Sequence, residues 1–193
     1  MHALLVSNGV VALAEIGDKT QLLAFILAAR FKKPVPIIVG ILVATIFNHG
    51  LAGALGAWIT SLVSPEMLRW ILGASFIGMA VWTLIPDKIE EEETQVARQF
   101  GVFGATLITF FLAEMGDKTQ IATVALAAHY GQPLMVVIGT TLGMLIADVP
   151  AVFIGNKFSA RIPMRLVHSI AAGIFAVMGV LSLLSIDSLF ELF

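Results

Sequence analysis

A nine-residue stretch, LAEIGDKTQ at residues 13–21, recurs almost unchanged as LAEMGDKTQ at residues 112–120. Each copy places a glutamate, an aspartate and a lysine among residues that are otherwise largely apolar. A shift of 99 positions aligns residues 13–34 with 112–133 without a gap, and 12 of these 22 positions are identical. The sequence therefore predicts two related halves, and the fold has to accommodate a charged motif twice.

The segments around these motifs are too apolar for an ordinary water-soluble domain. Hydrophobic residues make up 59% of the chain and charged residues only 12%, against about half and about a quarter in soluble domains. A helix that crosses a bilayer needs about 20 apolar residues. The sequence predicts an all-α integral membrane protein with six transmembrane helices, at roughly residues 3–29, 35–63, 67–85, 100–128, 134–154 and 166–186.

Six helices in two halves imply three helices per half. Because three is odd, the second half must enter the membrane from the opposite side, which gives a 3+3 inverted-topology repeat. Secondary transporters are commonly built in this way, with the substrate site near the midplane between the halves. The predicted organisation is a first half at residues 1–89 (TM1–3), an acidic linker at 90–99 and a second half at 100–193 (TM4–6).

The positively charged residues predict the orientation. Eight of the nine lysines and arginines outside the motifs fall in the first, third and fifth loops, and Arg69 alone falls on the other side. Since cytoplasmic loops are rich in such residues, both termini are predicted to lie outside the cytoplasm. The acidic run at residues 90–93 would then be cytoplasmic, as a solvated linker or, alternatively, as a cation sensor.

The motif itself indicates a cation site at mid-membrane. A charged residue at the centre of a membrane helix costs about 2.5–3.5 kcal/mol, so such groups persist where they pair, protonate or bind an ion. Glu15 and Asp18 are three residues apart and are predicted to share one face of the helix, with Lys19 near that face. Oxygen ligands suit hard divalent cations, and the chain has no cysteine for softer metals. The candidate metal ligands are Glu15, Asp18, Thr20, Gln21, Glu114, Asp117, Thr119 and Gln120.

Other polar residues in the apolar segments are candidates for proton coupling or a secondary role. His49 and Asp148 occupy equivalent positions in the two halves, and histidine titrates near neutral pH. Histidines 129 and 168 are expected at helix ends or in loops, and Met115 is either apolar filler or a thioether that favours Mn²⁺. The full candidate set is Glu15, Glu114, Asp148, His49, Asn48, Lys19 and Lys118. The alternative is that the Glu–Lys pairs are salt bridges that only hold the bundle together.

The doubled E-x-G-D-K-T motif in a small six-helix chain with an acidic central loop resembles the divalent cation/proton exchanger family, which includes the bacterial manganese exporter MneA and the eukaryotic Golgi manganese/calcium–proton exchangers. The resemblance covers the whole chain. It implies exchange of Mn²⁺, or Ca²⁺ in relatives, for protons, and its motif acids correspond to Glu15, Asp18, Glu114 and Asp117. The short chain without an N-terminal extension favours a bacterial protein of the inner membrane.

The expected protein is a transporter and not an enzyme. Its partners are a divalent cation, protons and membrane lipid, with no cofactor and no nucleic acid, and the sequence does not indicate an oligomeric state. A Ca²⁺/H⁺ antiporter is an alternative. An amino-acid-type exporter would need few central carboxylates. An intramembrane aspartyl protease would need a Gly-x-Gly-Asp signature. In this chain a glutamate, Glu15 or Glu114, occupies the position of the first glycine.

Overall fold

The computed structural model describes residues 1–85, 100–154 and 164–184, which are almost entirely helical. The predicted linker at residues 90–99, with its acidic run, lies outside the described residues. Within these ranges there are eight helices: α1 (His2–Glu15), α2 (Lys19–Phe31), α3 (Pro34–Leu62), α4 (Pro65–Thr83), α5 (Gly101–Glu114), α6 (Lys118–Tyr130), α7 (Pro133–Ile154) and α8 (Met164–Leu184). The all-α prediction is confirmed. By length and composition, α3 and α7 are apolar enough to cross a membrane.

The first and fourth predicted helices are each broken at the motif. α1 ends at Glu15 and α5 at Glu114, and a new helix begins four residues later in both halves. In each break a glycine has a positive φ, 88° at Gly17 and 79° at Gly116, a conformation that residues with a Cβ seldom adopt. The prediction of one continuous helix is therefore wrong, and so is the argument that Glu15 and Asp18 share a helical face.

The helix boundaries repeat at the same interval as the sequence. Each of α5, α6, α7 and α8 begins 99 residues after its counterpart among α1, α2, α3 and α4. Proline begins α3, α4 and α7, at a first-turn position where its missing N–H is not needed. The residues that end α2 and α6, Lys32 and Gly131, both adopt the left-handed conformation. Two stretches that differ in many side chains thus form the same local structure.

The two halves interlock rather than pack side by side. α1 of the first half packs against α7 of the second, and α5 of the second half packs against α3 of the first. Gly40 lies against Thr106, and its counterpart Gly139 lies against Ser7, which is the counterpart of Thr106. This reciprocal contact is what a two-fold relation between the halves produces. It places the two motif breaks in the interior, between the interlocked halves.

Candidate cation site

Carboxylates from both breaks meet in the interior. Glu15, Glu114 and Asp117 each offer a carboxylate oxygen, and these oxygens lie within 4.8 Å of one another. All three side chains are buried, and so is Asp18, which interacts electrostatically with both glutamates. The structure therefore brings together the four acids of the two motifs. The acids meet because two helices are broken at the motifs, and not because the glutamate and aspartate are spaced to share one face of a helix.

The aspartates are held by the helices that begin at the breaks. Asp18 is the N-cap of α2, and its Oδ1 accepts a hydrogen bond from the backbone N–H of Lys19 at 2.9 Å. Asp117 caps α6 in the same way through the N–H of Lys118. The N-terminus of a helix carries a partial positive charge that stabilises nearby anions. Two such termini at the cluster therefore lower the electrostatic cost of gathering several acids.

The threonines fix the orientation of the glutamates. Thr20 Oγ1 donates to Glu15 Oε2 at 2.6 Å, and Thr119 Oγ1 donates to Glu114 Oε2 at 2.9 Å. The other oxygen, Oε1, of each glutamate is buried without a hydrogen-bond partner among the described residues. A buried carboxylate oxygen without a partner is costly. One oxygen of each glutamate is thus oriented by the protein, and the other is free to bind an ion or a proton.

The glutamines stabilise the breaks themselves. Gln21 Oε1 accepts the N–H of Gly17 at 3.0 Å, and Gln120 Oε1 accepts the N–H of Gly116 at 2.7 Å. These N–H groups would otherwise lose their partners where the helix stops. The hydrogen bonds give Gln21 and Gln120 a structural function at the break, while their predicted function as ion ligands stays a prediction.

The predicted secondary residues lie at different places around the cluster. Asp148 is fully buried, neither of its oxygens has a hydrogen-bond partner among the described residues, and it interacts electrostatically with Glu15 and Glu114. Asn48 Nδ2 donates to the carbonyl oxygen of Phe111 at 3.1 Å, near the end of α5. His49 is buried, and within the described part of the chain neither ring nitrogen has a hydrogen-bond partner. Asp148 therefore extends the set of interior carboxylates to five.

The two motif lysines differ in their surroundings although their sequence contexts match. Lys118 is buried, its Nζ lies 3.7 Å from Asp18 Oδ1, and it donates to the carbonyl oxygen of Ile85 at 3.3 Å. Lys19 is only partly buried, and among the described residues its side chain forms no hydrogen bond or ion pair. One lysine is thus at the cluster and the other at its edge.

Sequence analysis missed one residue at the breaks. His168 lies near the start of α8, as expected, but its Nε2 donates to the carbonyl oxygen of Ile16 at 2.9 Å, within the first break. The only sequence signal was that Arg69, another basic residue, occupies the equivalent position in the first half. Met115 is 54% exposed, so its thioether is not part of the buried cluster.

Buried carboxylates at the breaks of two interlocked, largely apolar halves are typical of a membrane transporter for cations. Comparison with known families agrees: the model described as "Divalent cation/proton antiporter GDT1" matches the chain over residues 3–91 and 102–188. The chain therefore belongs to the GDT1 family of divalent cation/proton antiporters. It is a membrane transporter and not an enzyme.

Individual relatives are consistent with this assignment. A Vibrio cholerae protein named "Putative manganese exporter" is 51% identical over 179 residues, which cover 92% of this chain and 88% of that protein. GDT1-like protein 5 of Arabidopsis thaliana is 29% identical over 210 residues, which cover 90% and 91% of the two chains. GDT1-like protein 3 of Oryza sativa subsp. indica is 29% identical over 199 residues, or 90% and 70%. No solved structure matches this fold.

Proposed function

We propose that this chain expels Mn²⁺ from the cytoplasm in exchange for protons, with the carboxylate cluster as the ion site. The observation that carries the proposal is the meeting of oxygens from Glu15, Glu114 and Asp117 within 4.8 Å in a divalent cation/proton antiporter. Carboxylate oxygens suit Mn²⁺, and the Vibrio cholerae relative is named for manganese export. The same oxygens suit Ca²⁺, so Ca²⁺/H⁺ exchange is the second candidate.

The proposed membrane arrangement treats each broken pair of helices as one crossing. α1 with α2, and α5 with α6, then join α3, α4, α7 and α8 to give six crossings in a 3+3 inverted repeat. The reciprocal packing of the two halves supports this arrangement. The proposed halves are residues 1–89 and 100–193, joined by the linker 90–99, in the inner membrane with both termini outside the cytoplasm.

Ion and protons are proposed to be alternative ways of neutralising one set of acids. Glu15, Asp18, Glu114, Asp117 and Asp148 are all buried, and uncompensated charge in a low-dielectric interior is costly. Departure of a divalent ion removes two positive charges, which two protons restore. The glutamates and Asp148 are the proposed proton acceptors, because the other two acids, Asp18 and Asp117, are N-caps whose ionised form is stabilised by the helix N-terminus.

The first test is transport by the purified chain in proteoliposomes. With a fixed pH gradient, we expect Mn²⁺ to be carried against the proton flow and Mg²⁺ to be carried poorly, because Mg²⁺ dehydrates reluctantly. Flux is measured with an ion-sensitive dye inside the vesicles, and protein-free vesicles are the control. Faster Ca²⁺ than Mn²⁺ exchange would favour the second candidate, and no divalent flux under any gradient would refute both.

The second test concerns stoichiometry. If two protons replace each Mn²⁺, no net charge moves, and we expect flux at a fixed pH gradient to change less than about twofold when the membrane potential is clamped at different values. An unbalanced charge would instead gain about 2.3 kcal/mol per 100 mV, which is close to a 50-fold bias. Potassium and valinomycin set the potential. Strong voltage dependence without a pH gradient would show that the charge count is wrong.

A further inference from the structure

α4 and α8, which are repeat counterparts, pack against each other symmetrically, but they do not pack symmetrically on the remaining helices. Phe76 of α4 stacks on its repeat counterpart Phe175 of α8, with ring centroids 6.5 Å apart. Yet α4 packs against α6, whereas α8 packs against α1, which is the counterpart of α5 and not of α6. Exact symmetry would require α4 to pack on α5 to the same extent. The α4–α8 pair is therefore displaced from the two-fold position.

The aromatic contacts show that the α4–α8 pair lies closer to α6 than to its repeat counterpart α2. Phe76, near the middle of α4, contacts His129 at the end of α6 that is remote from the break, with ring centroids 6.1 Å apart. His129 is 11 residues from the start of α6, or roughly 16 Å along a helix. The counterpart contact would join Phe175 to Arg30. Arg30 is instead exposed, with its guanidinium 5.5 Å from the ring of Phe31.

The polar contacts at the breaks show the same asymmetry. Lys118 joins Asp18 to the carbonyl oxygen of Ile85, just after α4, while its counterpart Lys19 makes no such contact among the described residues. His168 of α8 binds the carbonyl oxygen of Ile16. Its counterpart Arg69, near the start of α4, instead lines a cavity with Glu66 and with His129 of α6.

We infer that Lys118 and His168 are positioning residues that hold the α4–α8 pair in the position seen in this structure. Their repeat counterparts, Lys19 and Arg69, hold the pair in a second position, in which each contact is replaced by its repeat-equivalent contact in the other half. In that second state Lys19 binds Asp117 and the carbonyl oxygen of Leu184. Arg69 binds the carbonyl oxygen of Met115, and Phe175 meets Arg30.

The two states have comparable free energy because the residues that stabilise them are repeat counterparts with similar sequences. The pair packs against α1 and α6 in one state and against α5 and α2 in the other, so the cluster is covered from different sides. This inference rests on the proposed function, because an antiporter must expose its site to each side of the membrane in turn.

Cross-linking tests the two states directly, since the chain contains no cysteine. The double variant Phe76→Cys/His129→Cys reports the present state, and Phe175→Cys/Arg30→Cys, at the repeat-equivalent positions, reports the exchanged state. With a short bifunctional thiol reagent in membranes, we expect both variants to cross-link. A cross-link in the first variant but never in the second, with Mn²⁺ or with a pH gradient in either direction, would overturn the inference.

Substitution of the lysines then tests their positioning function. We expect Lys118→Met to lower the first cross-link and raise the second, shifting their ratio about tenfold, and Lys19→Met to shift the ratio about tenfold in the opposite direction. Arginine at either position should restore the ratio. Shifts in the same direction, or none, would overturn the inference. Because cross-linking requires no ion flux, opposite shifts in the variants together with no Mn²⁺ transport by the unsubstituted chain would refute the proposed function alone.

Discussion

Asp117→Asn is expected to abolish Mn²⁺ transport, and so is the equivalent Asp18→Asn, while both variants remain folded. Asparagine is as good an N-cap as aspartate, so α6 and α2 keep their starting hydrogen bonds. The variant loses only a buried negative charge. A carboxylate and a unit positive charge about 4 Å apart attract by about 4 kcal/mol at the effective dielectric of a protein, so losing this attraction to the ion is expected to lower the flux about 100-fold or more.

Flux in proteoliposomes and the thermal unfolding midpoint together separate the two effects. Glu66→Gln is the matched control, because it also removes one carboxylate and lies at the start of α4, away from the cluster. The control should transport Mn²⁺ at the wild-type rate. Wild-type flux in either asparagine variant would remove that aspartate from the proposed ion site, whereas a collapse of the unfolding midpoint would contradict the expectation that the variant remains folded.

Much of the candidate site could be predicted from the sequence because the motif occurs twice. A glutamate and an aspartate in an apolar segment cannot face lipid without a large free-energy cost. Two such segments both avoid this cost when their acids meet at one interior site. The hydrophobic segments likewise predicted the helical class. The hydrogen bonds of Thr20 and Gln21 could not be predicted from the sequence, since either side chain can bind an ion or form a hydrogen bond within the protein.

The helix breaks were missed because hydrophobicity is averaged over many residues and contains no information on φ. A window across residues 3–29 or 100–128 contains no charged residue apart from those of the motif. In a hydrophobic pattern, Gly17 and Gly116 indicate only a weakened helix, yet glycine is also the residue that allows the positive φ found at both positions. The glutamine four residues after each glycine, which binds its N–H, is the additional signal that would have distinguished a break from a weak helix.

The difference between Lys19 and Lys118 could not be predicted from the sequence at all. The residues around them are the same over LAE and GDKTQ, and the following helices first differ at residues 22 and 121, so nothing within the motif distinguishes the two lysines. Only tertiary packing distinguishes them, through the position of α4 and α8. A difference between two identical motifs therefore reflects how α4 and α8 pack on them and not the local structure of either motif.

Gly116→Ala is expected to weaken Mn²⁺ transport strongly through the backbone alone. Among the described residues, and apart from its two chain neighbours, no atom lies within 4 Å of the position that a Cβ would occupy at Gly116, so the methyl group makes no clash there. The φ of 79° nevertheless costs a residue with a side chain about 1–2 kcal/mol. The break that positions Glu114 and Asp117 becomes less populated by that amount, and we expect the KM for Mn²⁺ to rise about 5- to 30-fold.

Two further variants isolate the cause of this effect. Gly116→Asn should retain more transport than Gly116→Ala although asparagine is larger, because asparagine tolerates the left-handed conformation. Gly9→Ala, in the middle of α1, should transport normally, because alanine favours a helix and a Cβ there meets no atom of the other described helices within 4 Å. KM values from Mn²⁺ flux measure all three variants. An alanine at position 116 that leaves the KM unchanged would mean that the broken helix is not required at the ion site. The order alanine, asparagine, glycine, from weakest to strongest transport, would instead show that the backbone conformation at the break sets the affinity for the ion.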